Sequence, residues 1–82
     1  MKESFSLDQL TVGARSTVRS IGTSGDMNRR LRDVGLIEGT RVTCVGRSPF
    51  GDPHAYLLRG TVIALRNRDA RTILVAPEGD EK

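Results

Sequence analysis

The chain has 82 residues, too few for more than one domain, and a core of this size supplies only about 3–5 kcal/mol of net stability. Cys44 is the only cysteine, which excludes a disulfide framework, and no run approaches the ~20 apolar residues of a membrane-spanning helix. The net charge is +3, from 13 basic and 10 acidic residues; the last five residues hold three acids and one base, leaving +5 on residues 1–77. That surplus admits a polyanionic partner, and it equally suits the solvated side chains of a small barrel. No apolar run of the signal-peptide kind follows the charged start, so a cytoplasmic protein is expected.

The pattern from Ser6 to Leu10 predicts one short helical turn. Ser6 and Gln9 have capping-box spacing, and Phe5 and Leu10 have the spacing of a hydrophobic staple. Arg15 to Ile21 predicts a strand. Val18 and Ile21 lie three apart, so a flat strand cannot bury both, and a bulge between them is expected. Asp26 is placed to cap a helix in which Met27, Leu31 and Val34 form one apolar stripe. Gly35 then stops the helix at the left-handed position, with Leu36 folding back on Leu31 in a Schellman motif.

A turn follows with Gly39 at positive φ. Arg41 to Arg47 alternates, with Val42 and Cys44 on one face and Thr43 and Val45 on the other. Residues 48–53 form a hairpin loop with two prolines and a glycine around Phe50. His54 to Arg59 returns as a strand, Gly60 marks a bend, and Thr61 to Leu65 is a further strand. Asn67 to Ala70 makes a single turn, and Arg71 to Ala76 is the last strand, ended by Pro77. A polar tail, 78–82, is expected to fray beyond the domain of residues 1–77. Five short strands, one helix in the first connection and glycine-rich turns predict an all-β fold with short helices, built as a small antiparallel β-barrel.

The run from Arg30 to Val42 resembles the helix-to-strand signature of FeoA-type proteins. Residues 49–53 resemble their hairpin loop, and Gly60 to Arg66, with Ala70 and Ile73-Leu74-Val75, resembles their closing segment. Leu7, Leu10 and Gly13 extend the likeness over nearly the whole of residues 1–77. The resemblance implies an SH3-like barrel. It also implies a cytosolic accessory protein of bacterial ferrous iron uptake, partnered with FeoB, a membrane Fe²⁺ transporter with a GTP-binding domain. Similar barrels form the C-terminal domain of iron-dependent repressors, whose N-terminal helix-turn-helix is absent from this sequence. That regulatory role stays open as an alternative. Glu38 stands where many relatives have proline, and His54 where an apolar residue is common.

The residues offer little chemistry. Catalysis requires a nucleophile beside a base, and the candidates reduce to Cys44 and His54 on adjacent strands. By parity Cys44 reads as a small buried hydrophobe, so no enzyme, substrate or cofactor is expected. No C-x-x-C, H-x-x-x-H or carboxylate–histidine cluster offers a metal centre, and Asp52 with His54 would make only a weak surface site. No phosphate-binding loop is present. Nucleic-acid binding is the second alternative. The charge suits it, but Phe5, Phe50 and Tyr56 are the only aromatics, and Tyr56 shares its parity with the barrel interior.

A binding module remains. If Val42, Cys44, Tyr56, Leu58, Ile63, Leu65, Ile73 and Val75 fill the barrel, then Val45, Leu57, Val62 and Leu74 point outward. Four aliphatic side chains on an outer face predict an interface. Arg59, of Leu57's parity, is expected at its rim, and Phe50 is a further contact candidate.

Overall fold

The computed structural model describes residues 4–22 and 25–77; the anticipated tail lies outside them. Six strands form one antiparallel sheet: β1 (Phe5–Ser6), β2 (Arg15–Ile21), β3 (Arg41–Arg47), β4 (His54–Leu58), β5 (Thr61–Leu65) and β6 (Ile73–Pro77). Their spatial order is β1-β6-β2-β3-β4-β5. The sheet curls around its core as an SH3-like barrel, but no hydrogen-bonded ladder joins its outer strands, β1 and β5. Helix α1 (Gly25–Asp33) connects β2 to β3, and the single turn α2 (Asn67–Ala70) connects β5 to β6.

Alternation sorts the side chains as expected. Val42, Cys44, Tyr56, Leu58, Leu65, Ile73 and Val75 are buried, and Ile63 packs against them from a half-buried position. Val18 joins the core, and the ladder with β6 slips between Val18 and Ser20. Arg19 is the extra residue, and the bulge lets Ile21 pack on the core from three positions along. Tyr56 is the largest fully buried side chain. Its hydroxyl lies 3.4 Å from both the Leu7 carbonyl oxygen and His54 Nδ1. Burial, reinforced by the nearby Cys44 and Asp8, pushes that hydroxyl well above the ordinary tyrosine range.

The helix exit has the predicted Schellman geometry. Leu36 N–H donates to the Leu31 carbonyl at 2.8 Å and Gly35 N–H to the Arg32 carbonyl at 3.0 Å, with Gly35 at φ +97. The buried hydroxyl of Thr40, which periodicity does not reveal, completes the clasp. It donates to the Gly35 carbonyl at 2.8 Å and accepts from Ile37 N–H at 3.2 Å. Thr40 O and Gly39 N–H then bond Val18, so the turn is stitched to β2.

Several local expectations are corrected. Ser6 makes no side-chain cap bond, because its backbone pairs with Leu74 in the short strand β1 and only a three-residue 3-10 turn follows. This strand raises the count from five to six. Asp26 lies inside the first turn of α1, where its charge favours the positive helix end without capping it. Val34 falls beyond the helix and stays more than one-third exposed. Strand β4 ends at Leu58, because Arg59 and Gly60 both take positive φ in a two-residue hairpin turn. The last strand begins two residues later than expected, since Arg71 and Thr72 bond back to Asn67 and Asp69.

Three measurements check this packing. Gly35→Ala places a methyl at positive φ against the Arg59 stem, and urea unfolding should show a loss of about 1–2 kcal/mol. Cys44, fully buried, should label slowly with a thiol reagent in native buffer and rapidly in denaturant. Equal rates would place it on the surface. Tyr56 keeps its proton longer folded than unfolded. Its contribution to stability is therefore full below about pH 10 and then declines by up to about 1.4 kcal/mol per pH unit. Tyr56→Phe should flatten that alkaline limb in unfolding titrations.

Candidate functional site

Strands β3, β4 and β5 lie side by side, and their outward face carries aliphatic residues beside Thr43, which pairs with Leu57. Leu57 pairs directly with Val62, and Ala55 with Ala64 one step along the same face. Val45 sits on the adjoining strand as the extra residue of a second bulge, between the Cys44–Tyr56 and Gly46–Ala55 pairs. Val45 is 43% exposed, Leu57 37% and Val62 60%, values that leave each one room to meet a partner. The two alanines, too small to stand out as exposed apolar residues in the sequence, extend the aliphatic face beside this pair. Their parity was the available signal.

Leu74 is also exposed but stands apart. It lies on β6, with β2 and β3 between it and β4. The same parity on a curled sheet does not make neighbours of distant strands.

Arg59 occupies the β4–β5 turn, where left-handed backbone breaks the parity it would share with Leu57. Its stem lies over Gly35, in the space a side chain there would fill, so the arginine ties the hairpin to the end of α1. Phe50 is 95% exposed at the tip of the β3–β4 loop. The loop is held from inside: Ser48 Oγ accepts from Asp52 N–H at 3.0 Å and donates to the Asp52 carbonyl at 2.8 Å. Asp52 Oδ1 in turn accepts from Asn67 N–H at 2.9 Å. It caps α2 from across the fold, a task Arg66 at the N-cap position cannot perform.

The chemical candidates are not brought together for reaction. Register sets Cys44 opposite Tyr56 and His54 opposite Arg47. The Cys44 thiol points to the Gly46 carbonyl at 3.7 Å, and His54 is buried with its ring edge-on to Tyr56. Among the described residues, no three of His, Cys, Asp and Glu gather in a metal-holding group. Asp52 is engaged at α2 and His54 is buried, so they do not form the anticipated surface pair. No helix of the described residues is long and apolar enough to cross a membrane. With Tyr56 in the core, Phe50 alone offers a wholly exposed ring for stacking.

Comparison with known proteins matches this geometry. The FeoA protein from Chlorobium tepidum superimposes with a TM-score of 0.89 at 28% identity, over 95% of this chain and 74% of that one. FeoA from Stenotrophomonas maltophilia, solved with zinc, superimposes with a TM-score of 0.76 at 28% identity, over 87% of this chain and 88% of that one. It is described as a procaryotic SH3 domain protein with a suggested part as a bacterial ferrous iron transport activating factor. A manganese-dependent transcriptional repressor shares the fold, with a TM-score of 0.82 at 19% identity over 94% of this chain and 43% of that one. No curated protein sequence matches. The FeoA domain family model matches residues 5–77, and the chain belongs to the FeoA family.

Proposed function

We propose that this chain is a non-catalytic accessory protein of ferrous iron uptake. It docks on a cytosolic surface of a FeoB-type GTP-binding Fe²⁺ transporter through the outer face of β3, β4 and β5. Family membership supports the role in ferrous iron transport. The observation that carries the docking is the exposed aliphatic cluster of Val45, Leu57 and Val62, on a domain whose nucleophile and base are both buried. The choice of a transporter as partner follows from the family resemblance.

Apolar anchors at the centre of such a face govern dissociation, whereas charges at its rim govern encounter. Arg59, two residues beyond Leu57 in the turn that closes the hairpin, stands at the end of the cluster and fits the second role. Leu74 and Phe50 fit as outlying contacts with a partner large enough to reach them.

The repressor-like fold supports a second reading, a regulatory barrel module akin to the C-terminal domain of iron-dependent repressors. Nucleic-acid binding has the arginine surplus in its favour. A salt titration with a labelled oligonucleotide separates it from protein docking.

The decisive variant is Leu57→Glu. The side chain is more than one-third exposed in the free chain, so circular dichroism should show an intact fold and a stability change within about 0.5 kcal/mol. Capture of the transporter should be lost, because a buried interface would hold an unpaired carboxylate. Wild-type capture by a folded Leu57→Glu chain would move the interface elsewhere.

A further inference from the structure

Strand β5 is an edge of the sheet, and its register shows which backbone groups it leaves free. The two-residue turn makes Leu58 and Thr61 a hydrogen-bonded pair, and the ladder continues without slippage through Tyr56–Ile63 and His54–Leu65. The alternate residues, Val62 and Ala64, therefore point their N–H and C=O groups away from β4. Among the described residues, β4 is the one strand that pairs with β5.

Protein sheets usually blunt such an edge with lysine, proline, a bulge or brevity. The opposite edge, β1, is two residues long. Strand β5 has five residues, Thr-Val-Ile-Ala-Leu, with no charge, no proline and no bulge. Helix α1 and the residue just beyond it leave a cleft of about 120 Å³ against β5, lined by Met27, Leu31 and Val34 on one side and Ile63, Ala64 and Leu65 on the other. Arg30 also lines this cleft, and neither Asp26 nor Asp33 of the helix does. Arg59 and Arg66 flank the strand, and no acid lies between them in sequence.

We propose that the free edge of β5 is a strand-addition site for an extended segment of a protein partner. The segment is apolar at its centre and carries Asp or Glu at its ends. It pairs with Val62 and Ala64 through main-chain hydrogen bonds, and alternate side chains settle toward the α1 cleft. Its carboxylates meet Arg30, Arg59 and Arg66. A second copy of this chain is disfavoured, because antiparallel β5–β5 pairing about Ile63 would bring Arg59 of one chain near Arg66 of the other. This inference deepens the docking reading and rests on it for a protein partner; it adds the mode of engagement and the partner's chemistry.

The test uses the whole chain, ¹⁵N-labelled, with the synthetic peptide Glu-Glu-Val-Thr-Val-Val-Glu-Glu and its counterpart with Lys for every Glu. The acidic peptide should shift the Val62 and Ala64 amides most and slow their exchange, and the basic peptide should do neither. Shifts centred elsewhere, equal response to both peptides, or only a concentration-dependent dimer would overturn the proposal. Ala64→Pro removes an N–H that the fold does not use, at an edge position that tolerates proline. It should keep the circular dichroism spectrum and weaken the acidic peptide at least about tenfold. If that variant unfolds, Arg30→Glu combined with Arg66→Glu provides the reading: preference should switch to the basic peptide, and unchanged preference refutes the proposal. Transporter capture distinguishes the two levels. Loss with Leu57→Glu alone, and not with a folded Ala64→Pro, keeps the docking reading and rejects strand addition. Wild-type capture by both variants rejects both.

Discussion

A six-stranded sheet that curls on itself has one interior, so each strand can give only one parity to the core. This constraint governs the molecule. The interior is filled by one side chain in two from β2, β3, β4, β5 and β6, around the large Tyr56, and is closed by Leu7, Leu10, Leu31, Leu36 and Ala70 from the turns and helices. Small size makes the constraint strict, since so thin a core cannot lose a strand's contribution. Bulges make two exceptions, and Ala76, buried next to Val75 in regular register, makes a third. The slip at Arg19 brings Val18 and Ile21 to the same core, and the slip at Val45 leaves an aliphatic residue outside.

The clasp at the end of α1 serves the same constraint. A helix inserted between two adjacent strands must return the chain to β3 in the correct register. The Schellman bonds, the Thr40 hydroxyl and the stitches from Gly39 and Thr40 to Val18 accomplish this with local hydrogen bonds. Arg59 adds a contact from the distant hairpin by lying across Gly35. A glycine required by backbone geometry is thus also the site of close approach for a long side chain.

Function follows from what the interior leaves over. Once the buried parity is assigned, polar residues are expected outside, yet the outer face of β3, β4 and β5 gathers valine, leucine and alanine beside Thr43. The reactive groups have gone the other way: the thiol, the phenol and the imidazole are inside, held by packing and by one another. The docking proposal rests on that division, with the chemistry buried and aliphatic groups exposed.

The sequence by itself determined much of the local structure and the sorting of side chains. The period of two in β3 and β4, the period of 3.6 in α1, and Gly35 followed by Leu36 each rest on interactions within a few residues. The bulge in β2 was legible because Val18 and Ile21 could not otherwise share a face. Tertiary structure decided the rest. Strand β1 is too short to announce itself and exists because β6 is there to pair with it. Thr40 and Asp52 read as ordinary turn residues; their bonds to Gly35 and Asn67 depend on where the chain has already been placed. Parity selected Leu57, Val62, Val45 and Leu74 alike, but only strand order shows that β2 separates the last from Val45, and β2 with β3 from Leu57 and Val62. Parity is a property of one strand, whereas a surface is made by neighbours, and long-range hydrogen bonding alone chooses which strands are neighbours.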